Sequence, residues 1–257
     1  MPYSLARHPF PPAVRHLTLA SRTVLAVSGG DSFVRVRLVE ARPGELAGFI
    51  APGGGDHVRV VVGAGGGEVV LGSTGEPLGE SRTETVVEHS VDEGYLDLDV
   101  LVHGAPGAEL GLIGPWAARA ALGSTAVVTG PKGSVVLSGA PAEVVLAGDD
   151  SALPAVRRYL RMLGPRITGH LLLETRFDLA ALGIEPRAGV RVSILEPGST
   201  PSATLATALR ALPAPTDPLD RFVFACGEQS LVAPARALLG TWGIDVERAV
   251  VKGYWKR

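Results

Sequence analysis

Apolar and polar positions alternate in short runs from about Ser21 to Gly139, and the alternation then gives way to longer apolar stretches. The first region holds "RTVLAVSGG", "SFVRVRLVEA", "DHVRVVVGAGGG", "RTETVVEH", "GYLDLDVLVHG" and "STAVVTGPKGSVV", β-branched segments broken by glycine-rich turns. Many short period-2 strands at close spacing predict an antiparallel sandwich or barrel. A helix is predicted at "GPWAARAAL", with Pro115 in its first turn. "PGGGDH" and "GAGGGE" read as mobile loops. Within "SRTETVVEH", Thr83, Thr85 and Val87 alternate with Arg82, Glu84, Val86 and Glu88, so one side of that strand carries an arginine and two glutamates. That side faces either water or a ligand.

From about Ala142 the chain alternates strands with helices. "AEVVLAG" is a continuous apolar run, as expected of a parallel strand buried on both faces, and "DDSALPAVRRYLRML" follows with helical spacing. "ITGHLLLET", "GVRVSILEP" and "DRFVFACGE" read as strands, "PSATLATALRAL" and "EQSLVAPARALLGTW" as helices. The expected fold class is therefore β plus α/β: an N-terminal extension over 1–20, an antiparallel β-barrel over 21–141 and a parallel-sheet, nucleotide-binding-like α/β domain over 142–257.

With 257 residues, 46% of them hydrophobic, the chain can build two real cores. A net charge of −2 lacks the basic excess that nucleic-acid and anionic-membrane binders use, so neither is an expected partner. A single cysteine, Cys226, excludes an intrachain disulfide and any multi-cysteine metal site, and in "RFVFACGE" it reads as a core thiol. The N-terminus has too broken an apolar run for a signal peptide and no stretch reaches 18 apolar residues, so a cytoplasmic location is expected. The six histidines lack metal-ligand spacing, and no metal is expected. Of the three lysines among 24 basic residues, Lys252 and Lys256 fall in the last six positions.

Walker, G-x-S-x-G and H-E-x-x-H motifs are absent. The candidate chemistry lies instead in turns at the carboxyl ends of parallel strands, where open α/β sheets bind ligands. "LAGDDSALPAV" places Gly148, Asp149 and Asp150 there, and "ACGEQSLVAPARALL" places Gly227 and Glu228. Acidic N-capping turns would account for the same carboxylates.

These segments, with "FVRVRLVEARPGELAGF", "YLDLDVLVHG", "GPWAARA", "TGPKGS" and the terminal "GYWKR", together resemble the siderophore-interacting protein family of FAD-dependent ferric-siderophore reductases, from about residue 20 onward. The resemblance implies a flavin-reductase-type barrel holding FAD, an α/β domain taking NADPH or NADH, and a ferric siderophore as substrate. The family's strand motif R-x-Y-[ST]-x-R falls on the stretch from Arg82 to Val87: Arg82 and Thr85 match, while Glu84 replaces the ring-stacking aromatic and Val87 the second arginine. Loss of the aromatic removes roughly 0.5–1.5 kcal/mol of stacking, and loss of the arginine roughly 1.5–3 kcal/mol of phosphate bonding. The segment before the tryptophan helix carries Leu110, Leu112 and Ile113 where the family has small polar residues. The resemblance further implies that His57, Val100, His103, Trp116 and Ala117 line the FAD pocket with Arg82 and Thr85. It makes Gly148, Asp149, Asp150, Gly227 and Glu228 the nicotinamide turns, and Lys132, Lys252, Lys256 and Arg257 the cations that hold an anionic chelate. Two other functions follow from the departures. One is a flavin-free tailoring enzyme that uses Glu84 in the interdomain cleft as an acid or base, with Glu88 and His89 as weaker candidates; the other is a non-catalytic protein that binds a metabolite.

Overall fold

Alternating apolar side chains form a sheet only if one face finds a partner, and here the sheet closes on itself. The structure, a computed structural model, describes residues 3–64, 67–104 and 111–257. The chain forms two compact units, one spanning Arg7–Val135 and the other Val136–Arg257 together with the start of the chain through Ala6.

In the first unit β2 (Val14–Ser28), β3 (Asp31–Glu40), β4 (His57–Val62), β5 (Ser81–Ser90), β6 (Tyr95–Val102) and β7 (Thr125–Thr129) close into an antiparallel barrel in the order β2-β3-β6-β5-β4-β7. Leu17, Leu19, Val34, Val36, Leu38, Val58, Val60, Leu96, Leu98 and Val128 fill its interior, every second residue of each strand. The helix α1 (Ile113–Arg119) packs against β3, β4 and β6 and adds Ile113, Trp116 and Ala117 to the same core. Arg22 fixes its far end by donating to the carbonyls of Ala117 and Ala120, which the helix leaves unsatisfied. The outer face of β3 and β6 carries bidentate Arg35–Asp99 and Arg37–Asp97 pairs, all contacts 2.7–2.8 Å.

The second unit is a five-stranded parallel sheet ordered β11-β10-β9-β12-β13, built from β9 (Glu143–Asp149), β10 (Thr168–Glu174), β11 (Val190–Leu195), β12 (Arg221–Glu228) and β13 (Ala249–Trp255). Its helices are α2 (Leu153–Met162), α3 (Ala203–Arg210) and α4 (Val232–Thr241). The central strands β9 and β12 are buried almost throughout, the reason their sequences run apolar without alternation. Cys226 lies inside β12, and burial pushes its thiol up to about 12. Two further strands, β1 (Ser4–Pro9) and β8 (Gly133–Ser138), pair with each other.

The expected fold class is the observed one, and four details differ. The barrel's first strand starts at Val14, within the stretch 1–20 expected to be an extension, because Leu17 and Leu19 already carry the inward alternation past the prolines at 11 and 12. The first compact unit also ends at Val135 rather than at 141. The turn "PGGGDH" is pinned rather than mobile: Gly53 N–H donates to the Asp56 carboxylate at 2.8 Å, and Val86 N–H to the Asp56 carbonyl at 3.0 Å. In "GAGGGE", Gly65 and Gly66 lie outside the described residues. The terminal "AVVKGYW", for which the sequence pattern predicted no element, forms a strand. No helix among the described residues is long and apolar enough to cross a membrane.

Arg221, 2% exposed, joins β12 to β9 through a bidentate pair with Glu143 at 2.7 and 2.8 Å and stacks over Trp242. Removing one partner of a buried pair leaves the other charge uncompensated, so Arg221→Ala is expected to destabilise this unit by about 3 kcal/mol in urea unfolding, whereas an exposed Arg176→Ala should change it by less than about 1 kcal/mol.

Candidate functional site

β5 carries the strand motif, and its register decides which side chains share a face. Val58 stands opposite Glu84 and Val60 opposite Arg82, so Glu84 and Arg82 belong to the inward row together with Val86. A bulge between Val86 and Glu88 then inserts one residue. Val86 pairs with inward Leu98, but Glu88 pairs with outward Asp97. The even alternation read from the sequence therefore fails at Val87, and Glu88 joins the outer charged ladder rather than Glu84. His89 packs edge-on against Phe49, with centroids 5.0 Å apart.

Glu84 keeps some exposed surface as a residue, yet its carboxyl is desolvated. Burial in the inward row pushes its pKa up to about 8, opposed by the charge of Arg82. It makes no hydrogen bond among the described residues. Arg82 donates to Glu80 at 3.1 Å and to the Ser81 carbonyl at 3.2 Å. Its guanidinium lies so close to Gly111, just before α1, that a Cβ there would sit 3.3 Å from Nη2. Gly111, at φ +41°, leaves that space open.

The other residues expected in the FAD pocket are distributed over several places. Thr85, buried, pairs with His57 on the opposite face of the strand from Glu84, and His57 Nδ1 lies 3.0 Å from the Gly55 carbonyl. Val100 and Ala117 are wholly buried in the barrel core, so their side chains offer a ligand no surface. His103 is exposed and sits 3.4 Å from the Asp31 carboxylate. Trp116 is buried, and among the described residues its Nε1 donor has no partner. Leu112 and Ile113 pack on the barrel core, while Leu110 lies outside the described residues.

In the α/β unit the two acidic turns meet at the carboxyl ends of β9 and β12. Asp149 accepts from Ser151 N–H at 3.0 Å and, through its other oxygen, from Glu228 N–H at 2.9 Å and Trp255 Nε1 at 2.8 Å. A Cβ on Gly227 would fall 2.7 Å from that carboxylate, so glycine is what lets the turns approach. Glu228 accepts from Ser230 N–H at 2.6 Å, and these hydrogen bonds hold its pKa below the usual carboxylate range. Asp149 and Glu228 thus serve as N-caps of the short turns at Asp150–Ala152 and Gln229–Leu231. Their carboxylates are engaged by the protein's own donors.

Sequence reading missed Glu174, the last residue of β10, which is buried and stands in register with Asp149. Burial raises its pKa, and Gly198 N–H, 3.4 Å away, acts in the opposite direction. Its signal was the one used for Asp149, a carboxylate at the end of a parallel strand. Lys252, Lys256 and Arg257 are exposed on β13 and just beyond it, and Lys132 is exposed in the barrel unit.

Comparison with known proteins bears on the family and the fold. Residues 30–135 match the model for the siderophore-interacting FAD-binding domain, and residues 141–257 match that for the siderophore-interacting protein. The chain belongs to the siderophore-interacting protein family. Ferric vibriobactin reductase ViuB of Vibrio cholerae is 27% identical to this family member over 231 residues, 83% of this chain and 81% of that protein. A siderophore utilization protein from T. fusca superposes with a TM-score of 0.75 at 26% identity, covering 99% of this chain and 97% of its own. The siderophore-interacting protein SipS from Aeromonas hydrophila gives 0.74 at 22% identity, covering 95% and 99%. Barrel and parallel sheet together make the ferredoxin-reductase-like fold of the family.

The raised pKa of Glu84 has a measurable sign. Between the ordinary value of 4.5 and the folded value of about 8, the native state holds a proton that the unfolded chain has released. The stabilisation is full below 4.5 and is lost as pH rises through about 8. Unfolding free energy of the wild-type chain should therefore fall across this window, and Glu84→Gln should flatten that fall; equal slopes would mean that the carboxyl is ionised in the native state.

Proposed function

We propose that this chain is a cytoplasmic oxidoreductase in which NADPH or NADH, through FAD, reduces a ferric siderophore. The observation that carries the reading is Arg82 held against the open backbone at Gly111, a cationic cradle in the unit that matches a FAD-binding family. Bound FAD would supply the passage from the two-electron chemistry of a nicotinamide to the one-electron reduction of iron.

The donors of the barrel suit such a group. Arg82 would bind phosphate, Trp116 Nε1 is a buried donor without a partner among the described residues, and the Thr85 hydroxyl lies on the other face of the strand from Arg82. Glu84 would oppose phosphate or an electron-rich ring if ionised, but below about pH 8 its carboxyl is neutral and can itself donate. In the α/β unit Asp149 and Glu228 shape the turns for a nicotinamide dinucleotide, which backbone groups of those turns would meet. The exposed Lys132, Lys252, Lys256 and Arg257 would attract an anionic chelate. Iron leaves after reduction because the softer ferrous ion binds hard oxygen donors less well. The relative named ferric vibriobactin reductase supports the same class of reaction. A flavin-free use of Glu84 is not carried forward, since the family matching the barrel is a FAD-binding one.

Purified protein incubated with FAD and desalted should keep a flavin absorbance band that NADPH or NADH bleaches and a ferric chelate restores. Arg82→Ala should weaken FAD binding about 10- to 100-fold, the equivalent of one charge-assisted phosphate bond. Protein that stays colourless in excess FAD, or wild-type affinity in the variant, would overturn the assignment.

A further inference from the structure

Away from the strand motif, a cavity of about 440 Å³ opens on the barrel unit between the start of β2, at Ala13–Arg15, and the turn after β3, at Arg42–Ala47. Arg15, 6% exposed, forms part of its wall. A guanidinium keeps its charge even when buried, so its desolvation has to be offset by anions or by a full set of acceptors. Arg15 has neither. Nη1 donates to the Gly130 carbonyl at 2.8 Å, the group stacks 5.0 Å over the Phe49 ring, and Nε is buried without a partner among the described residues. No carboxylate lies within ion-pair distance of it among the described residues.

A second guanidinium stands at the same cavity. Arg42, whose side chain is 76% exposed, holds Glu45 at 2.8 and 3.1 Å, while Glu45 also accepts from His16 N–H at 3.1 Å. Exposed pairs of this kind are weak and exchange readily. Arg42 can turn to a competing anion while Glu45 stays anchored by the backbone of His16.

We propose that this cavity is a binding site for a small oxyanion, a phosphate or a carboxylate group, held by the guanidinium groups of Arg15 and Arg42. The planar fork of each matches two oxygens of such a group, and the buried position of Arg15 makes its contribution the larger. Glu45 is the group that limits affinity, because it competes for Arg42 and adds a like charge beside the bound anion. The site does not depend on flavin or nicotinamide.

Calorimetric titration of the purified chain with inorganic phosphate, and separately with citrate, at ionic strength held constant with chloride, tests this. Saturable binding at one site is expected for at least one of the two anions, and which one binds tells phosphate from carboxylate recognition. Arg42→Ala should weaken that binding about tenfold, and Glu45→Gln should tighten it severalfold. Arg15→Gln should abolish it; since that change also touches the barrel wall, the two surface variants decide the matter if it fails to fold. Arg82→Ala should leave the affinity unchanged, which separates this cavity from the phosphate position expected for FAD. Absence of saturable binding of both anions at millimolar concentration, affinity unaltered in both Arg42→Ala and Glu45→Gln, or loss of binding in Arg82→Ala would each overturn the proposal.

Discussion

A closed six-strand barrel has no free edge, and in exchange every second side chain of each strand is committed to a shared interior. Most of the chain's distinctive chemistry follows from that commitment. Val58, Val60, Val86 and Leu98 meet it with apolar side chains. Glu84 occupies the same row and cannot turn to the outer face without breaking the β4–β5 register, so it meets the commitment by holding its proton. Arg82, one step along that row, reaches past the interior to the backbone before α1. The bulge at Val87 then resets the parity and releases Glu88 to the outer charged ladder.

The parallel sheet works under a different constraint. Its central strands are buried on both faces, and polar groups concentrate at the carboxyl ends, where Asp149, Glu174 and Glu228 sit within a few residues of register. Three carboxylates so close together would repel one another if left to water. Each is instead matched with backbone or indole donors: Ser151, Glu228 and Trp255 for Asp149, Ser230 for Glu228 and Gly198 for Glu174. The acidic turns are thereby part of the scaffold at the carboxyl end of the sheet. Trp255, at the end of β13, is tied into that scaffold twice, by its pairing with Glu228 in the sheet and by its indole N–H to Asp149.

These constraints reconcile a family motif with its departures. A strand that replaces an aromatic by glutamate and an arginine by valine looks unfit for a phosphate-bearing cofactor when only charges are counted. Placement changes the count: the carboxyl is neutral below about pH 8, the valine lies at a bulge, and the remaining arginine lies beside Gly111, whose φ of +41° favours glycine. The barrel also carries a buried guanidinium far from this strand in function, at Arg15, whose incomplete partnering is of the opposite sign.

Periodicity alone determined the two-part architecture, since a period-2 alternation and a continuous apolar run report directly whether one face or both faces of a strand are buried. It also located the helices, with the local signal of Pro115 in the first of them, and marked Arg82, Glu84, Asp149 and Glu228 as residues worth following. Tertiary structure alone decided which of these share a face. The bulge at Val87, the burial that neutralises Glu84, the meeting of two turns 79 positions apart across Gly227, and the incomplete partnering of Arg15 all arise from neighbours distant in sequence. A carboxylate or guanidinium has the same letter whether it faces water or a closed interior; its protonation and its need for a partner are set by desolvation, which only the packed chain defines.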